Sequence, residues 1–280
     1  MPRNTPSRFA GEDLATERHR ADGSAEGVLY REAACGALRL CALCVEEAGE
    51  TRLEKPRGKY LSLSFEGKTP EDVTETLPHR LAEALAFFLG RVPRRLLVIG
   101  LGNRRLTADA FGPLTADGVE ASGVIPEGAL RAFGLTGTHR VFVTSPDVAA
   151  KTGIESARVA AAVAREVRAD ALLTLDSLAT VKRERLLSVV EITNTGTVPG
   201  GGVGARPYPL SASTLGIPVV SLGVPTVVQS GKDFFTVSRR MEESLDHLTR
   251  LTAEAINRYA RAPHLSYGDA VAQLFSKEDI

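Results

Sequence analysis

The spacing of hydrophobic positions changes twice along the chain. From Val28 to about Phe65, apolar and polar residues alternate through LRLCALCV and KYLSLSF, separated by EEAGETRLEKPRG. That period of two predicts two or three strands joined as hairpins. Residues 1–27 ahead of them are polar, charged and poor in β-branched residues, and read as a loose leader. Thr69-Pro70-Glu71-Asp72 then opens a helix, with Thr69 as N-cap, proline at the first helical position and acids in the first turn. Leu81, Leu85, Phe88 and Leu89 continue its apolar stripe to Gly90. Beyond Arg95 the pattern becomes continuous apolar runs separated by helical periods. Strands are expected over 95–103, 139–145, 171–175, 187–193 and 217–224, and helices over 109–120, 154–169 and 238–259. Such runs predict strands buried on both faces. The expected fold is α/β: a single three-layer domain with a mostly parallel, mixed sheet flanked by helices, plus an N-terminal β-hairpin region. Its β-rich part covers about 28–66 and its α/β core about 70–260, with an irregular loop over 199–209.

Composition narrows the function. The 280 residues carry 34 basic and 34 acidic side chains, for a formal net charge of +0. Without a basic excess there is no long-range attraction to phosphate, and with no tryptophan and 5% aromatics there is little to stack on bases. Nucleic acid is therefore not an expected partner. No apolar run approaches the roughly 20 residues that span a bilayer, and the first 20 residues lack the apolar stretch of a secretory signal. Three cysteines are an odd number and argue against a disulfide framework. The expected location is cytoplasmic, with no membrane partner.

Two carboxylates stand where α/β sheets place their chemistry, at the carboxyl ends of strands. Asp109 follows the strand LLVIGLGN after a short turn, and Asp176 closes the strand ALLTLD. If the strands are neighbours the carboxylates converge, one pKa rises, and the pair can serve as general base and general acid on a peptide carbonyl. The plainer alternative makes Asp109 a helix N-cap and Asp176 a turn residue at the strand's end. Gly100-Leu-Gly-Asn103 lacks the third glycine of a dinucleotide fingerprint and serves better as a tight turn beside the acids. The loop Thr195-GTVPGGGVG-Ala205 can line an extended substrate or be a plain surface loop.

Other motifs point to structure rather than chemistry. Cys41-Ala-Leu-Cys44 lies in an alternating strand, which puts its thiols on opposite faces; no second pair completes a zinc site. There is no G-x-S-x-G elbow, and His19, His79, His139, His247 and His264 accompany no nucleophile motif. Lys182-Arg-Glu-Arg185 reads as a solvated charged turn. No metal or cofactor is expected.

Taken together, several segments resemble the germination protease of spore-forming bacteria, an atypical aspartic endopeptidase. They are Asp13-LAT-Glu17, Gly58-Lys-Tyr60, Val98-IGLGNRRLTADAFG-Pro113, Thr152-Gly-Ile-Glu155, Leu172-LTLDSL-Ala179, Asn194-TGTVPGGGVGARPYPL-Ser211 and Thr214-LGIPVVSLGVPTV-Val228, in order over nearly the whole chain. The resemblance implies catalytic roles for Asp109 and Asp176; Gly102, Asn103, Thr195, Gly196, Gly202 and Gly204, from the two glycine-rich segments, are expected to line the substrate site. It implies a self-processing zymogen, cut between Asp13 and Leu14, with residues 1–13 as propeptide and 14–280 as peptidase domain. It also implies a homotetramer in the forespore or spore core, acting on small acid-soluble spore proteins. The fold implied is related to that of hydrogenase maturation proteases. Against the family pattern, Ser145-PDVAA-Lys151 replaces a glycine-rich loop, Asn194 replaces an aspartate, and the segment before the last helix is short. Two alternatives accompany this reading: a catalytically silent relative that binds spore proteins, and a nickel-dependent maturation-type protease.

Overall fold

The computed structural model describes residues 13–23, 26–90, 93–126, 128–129, 140–199, 208–230, 233–235, 241–261 and 270–276. The alternating segment forms an antiparallel meander. Strand β1 (Val28–Cys35) turns at Gly36, φ +60°, into β2 (Leu38–Val45), and β3 (Gly58–Ser64) pairs with β2 from the other side. The polar separator between β2 and β3 contains helix α2 (Glu47–Leu53). Thr69 and Asp72 form a reciprocal capping box over a 3-10 turn (Pro70–Val73), and helix α3 (Thr76–Leu89) follows, stopping at Gly90.

The remaining elements alternate as the apolar runs imply. Strand β4 (Arg95–Gly100) leads through a 3-10 turn (Thr107–Asp109) to helix α4 (Phe111–Asp117) and strand β5 (Arg140–Thr144). Helices α5 (Ala149–Thr152) and α6 (Ser156–Glu166) precede β6 (Ala171–Thr180) and β7 (Val189–Thr193). Helix α7 (Ala212–Leu215), strands β8 (Val219–Ser230) and β9 (Asp233–Phe235), and helices α8 (Met241–Arg261) and α9 (Ala270–Leu274) complete the chain. The strands make one nine-stranded sheet in the order β1-β2-β3-β7-β8-β6-β4-β5, with β9 on β8. Strands β5, β4, β6 and β8 are mutually parallel, and antiparallel β7 joins them to the meander.

Both faces of the parallel part are covered, so successive residues of one strand enter different cores. Leu96, Val98, Leu173 and Leu175 pack with residues of α3, α4 and α8. Leu97, Ile99 and Leu172 pack against Ala157, Ala160 and Ala164 of α6. On that second face, farther along the sheet, Leu43, Val45 and Tyr60 lie under Ala15 and Leu53. The mixed three-layer α/β architecture is thus the one the periodicity predicts.

Three expectations need correction. The leader is not loose throughout: helix α1 (Ala15–Asp22) forms, and Leu14, Ala15, Thr16 and Glu17 are buried against the sheet. Burying Leu14 alone is worth about 2 kcal/mol, which a merely polar reading of the segment overlooks. Arg185 is no solvated turn residue: it is 1% exposed, donates to Thr16 Oγ1 at 3.0 Å and pairs with Glu17 at 3.6 Å and Glu66 at 3.3 Å. A buried guanidinium survives only with such partners, and they come from segments remote in sequence. Strand β6 also runs on past Asp176 to Thr180, because β8 continues beside it.

Candidate active site

The turn after β4 is built by glycines that let backbone lie close to backbone. A side chain at Gly100 would come within 2.5 Å of the Gly112 carbonyl oxygen and 2.7 Å of Ser145 Oγ. Gly102 has φ +116°, and a Cβ there would strike the Asp109 backbone and lie 2.8 Å from its Oδ1. Absence of a Cβ therefore brings Asp109 back over the end of β4. Thr226 Oγ1 of β8 donates to the Ala108 carbonyl at 2.5 Å, tying the same 3-10 turn to the sheet. Asp109 is not a helix cap: Ala110 precedes α4, and Asp109 Oδ2 accepts the Asn103 N–H at 2.8 Å. Gly102 and Asn103 thus both touch Asp109.

Asp176 occupies the adjoining position on β6. Pairing with β4 ends at Gly100 and Leu175, while pairing with β8 continues through Asp176 and Gly223. Asp176 is therefore the first β6 residue beyond the carboxyl end of β4, although it is not the end of its own strand. Its Oδ1 accepts the Ser177 N–H at 2.9 Å. The same row of the sheet continues through Gly223 to Glu191 and Ser62, placing Glu191 two strands, roughly 10 Å, from Asp176.

The Asp109 charge acts on Asp176. Burial pushes the Asp176 carboxyl up to about 7, helped by the charges of Asp109 and Asp13 and opposed by the Ser177 N–H. Burial also raises Asp109; the Asn103 N–H opposes this, and the nearby Asp147 carboxylate adds to it. Asp176 is therefore the carboxyl that burial, with the Asp109 charge, keeps protonated toward neutral pH. Asp147 is a site neighbour that spacing does not single out. It sits at φ +62°, a conformation aspartate tolerates, and bonds Lys151 and the Val148 N–H.

The chain's own N-terminal segment reaches this edge of β6. The Asp13 N–H donates to the Ala179 carbonyl at 3.1 Å, and the Ala179 N–H donates to Asp13 Oδ2 at 2.7 Å. Leu14 has no exposed surface, and Lys55 Nζ donates to the carbonyl oxygen of Asp13. The Ala15 N–H donates to both Glu191 oxygens, at 3.1 and 3.2 Å, and Ser62 Oγ donates to Glu191 Oε2 at 2.9 Å. Lys55 and Glu191 carried no motif; only the sheet register brings them to Asp13.

Thr195 and Gly196 lie elsewhere. Because β7 opposes β8, the chain beyond Thr193 heads toward the amino ends of β6 and β8, away from the Asp176 row. Thr195 bonds back to Thr193, and Gly196, φ +80°, packs against the Leu210 carbonyl. Gly202 and Gly204 fall outside the described residues. Cys41 and Cys44 are free thiols in β2, and His247 is engaged in packing, with Nε2 3.0 Å from Thr74 Oγ1. Among the described residues no helix is long and apolar enough to cross a membrane.

A family model described as germination protease matches residues 9–267. Among curated relatives of that description, the one from Caldanaerobacter subterraneus subsp. tengcongensis is 34% identical over 226 residues, 78% of this chain and 69% of the relative. Those from Bacillus cereus and Halalkalibacterium halodurans are 31% and 30% identical over 227 and 225 residues, again 78% of this chain. The match spans 60% of the length of each of these two relatives. A solved NiFe hydrogenase maturation protease from Thermococcus kodakarensis aligns at 19% identity with a TM-score of 0.37, covering 62% of this chain and 98% of that one.

Proposed function

The chain belongs to the germination protease family, and from that premise we propose that it is an aspartic-type endopeptidase acting on small acid-soluble spore proteins in the forespore or spore core. The observation that carries this reading is the placement of Asp109 and Asp176 beyond the carboxyl end of β4, where burial and the Asp109 charge raise the Asp176 carboxyl. Asp109, stabilised as a carboxylate by the Asn103 N–H, takes a proton from water. The water oxygen attacks the peptide carbonyl. Asp176, holding its proton up to about pH 7, passes it to the leaving nitrogen.

The same reading makes the chain a zymogen that cuts its own Asp13–Leu14 bond. Support comes from the position of Asp13 along β6, past the point where β4 leaves that strand's edge exposed to pairing. A substrate strand would take the same edge, with main-chain bonds giving affinity. Within this proposal the subunits form a homotetramer, and the glycine loop around Gly202 and Gly204 contacts the substrate.

The test is cleavage of a purified small acid-soluble spore protein by the wild-type chain and by Asp176→Asn, followed by mass spectrometry. Wild type should cleave and the variant should lose at least about 100-fold, since removing a general acid costs roughly 100- to 10,000-fold. Undiminished cleavage by the variant would exclude the mechanism. Activity that survives a chelator would exclude the nickel-dependent alternative, and binding without cleavage by wild type would favour the silent one.

A further inference from the structure

We propose that Lys55 is the group that holds the scissile carbonyl during self-processing, donating from Nζ to the Asp13 oxygen as negative charge develops there. This inference rests on the reading that Asp13–Leu14 is the processed bond.

The placement of Lys55 is the first argument. Helix α2 ends at Leu53, Glu54 with φ +50° turns the chain, and Lys55 and Pro56 follow before β3 begins at Gly58. This connection brings the lysine beneath the start of α1, where Nζ donates to the Asp13 carbonyl oxygen. The residue is half-buried, and its amine lies in the electrostatic company of Glu191 on β7, Arg18 and Glu17 on α1, and Asp13 itself. Burial pulls its pKa below the usual lysine range, while the Glu191, Asp13 and Glu17 carboxylates oppose that pull and Arg18 adds to it. Three carboxylates thus counter the burial that disfavours a cation at the carbonyl.

The second argument is how completely the same bond is held. Ala179 fixes the Asp13 N–H and side chain, the burial of Leu14 fixes the other side, and Glu191 binds the Ala15 N–H one residue beyond. A lysine on an ordinary exposed carbonyl would be a surface contact. Here the carbonyl belongs to a peptide restrained on both sides, so a donor aimed at its oxygen polarises one defined bond. A hydrogen bond to that oxygen strengthens as the carbonyl becomes an alkoxide, and only such a gain accelerates a reaction.

The step balances with the residues named. Water adds its oxygen to the Asp13 carbonyl carbon and gives one proton to Asp109. The carbonyl π pair moves to oxygen, where Lys55 N–H groups hold it. When that pair returns, the bond from Asp13 carbon to Leu14 nitrogen breaks, and the proton on Asp176 goes to the nitrogen. Residues 1–13 leave with a new carboxyl terminus, and Leu14 becomes the amino terminus. No oxidant, metal or nucleotide enters.

The experiment follows intact mass in full-length wild type, Lys55→Arg, Lys55→Gln and Lys55→Met, scoring loss of residues 1–13 over time, with melting temperature measured alongside. Wild type should process with a first-order rate. Lys55→Met should slow it at least about 100-fold, the scale seen on removing one oxyanion donor. Lys55→Arg should return to within about tenfold of wild type, with Lys55→Gln between. That order follows donor strength; a structural role would instead follow melting temperature. Processing at the wild-type rate in Lys55→Met, or Arg and Met equally slow, would overturn the assignment of Lys55 alone. A wild-type chain that cleaves a spore protein yet never loses residues 1–13 would overturn the processed bond and this inference with it.

Discussion

At the scale of single residues, the proposed reaction needs Asp176 protonated while Asp109 is not. Cleavage should therefore fall as pH rises through about 7, where Asp176 loses its proton. Stability should follow the same group. Its folded pKa lies above the ordinary carboxylate value, so between about pH 4 and 7 the native state binds more protons than the unfolded chain, and stability declines as pH rises through that window. Asp176→Asn removes this burden. At pH 8 it should gain about 1–3 kcal/mol in denaturant unfolding, after allowance for solvent screening, while losing activity. An equal or lower stability would count against a strained carboxylate. Gly102→Ala should do the reverse and cost about 2–4 kcal/mol with most activity, because a Cβ meets Asp109 in a conformation that disfavours side chains. The two acids and the glycines beside them are legible in the sequence because strand-end carboxylates and Gly-x-Gly turns are local signals. Lys55, Glu191 and Asp147 are not, since each owes its place to contacts across the sheet.

At the scale of elements, α1 differs most from its sequence pattern. Its residues are mostly charged, yet Leu14 and Ala15 are buried and Glu17 bonds Thr180 and pairs with Arg185. Helix α1 is therefore held by tertiary partners rather than by amphipathic periodicity, which is why the spacing of apolar residues does not reveal it. Arg185→Met should cost about 3–5 kcal/mol in thermal or denaturant unfolding, because it removes the buried guanidinium that pairs with Glu17 and Glu66 and bonds Thr16. A change below 1 kcal/mol would show that the ion pair contributes little. Deleting residues 1–22 should melt well below a chain lacking only residues 1–12, since only the first deletion removes Leu14 and the Ala15 bond to Glu191. Strand β6 is the second case. Its apolar run stops at Leu175, but pairing with β8 carries the strand to Thr180, and this extension is the edge that Asp13 uses.

At the scale of the whole molecule, the sheet joins two regimes that are visible in the text of the chain. Continuous apolar runs build the parallel strands β5, β4, β6 and β8, and alternating runs build the β1–β3 meander. What no periodicity reveals is that antiparallel β7 links them, aligning Ser62, Glu191, Gly223 and Asp176 in one row. That alignment puts Asp176 on the same face as Glu191, which binds the N-terminal segment at Ala15. The proposed self-processing should accordingly occur within one molecule, with a rate constant unchanged over a hundredfold range of protein concentration. A rate that scales with concentration would mean that one copy cuts another.

The claim on which the function depends is that Asp109 and Asp176 hold one proton between them near neutral pH. A carbon-13 NMR titration of aspartate carboxyl groups, in wild type and in Asp109→Asn, tests it directly. Asp176 should titrate near 7 in wild type and at lower pH once the neighbouring charge is gone. A midpoint near 4 in both proteins would contradict the account.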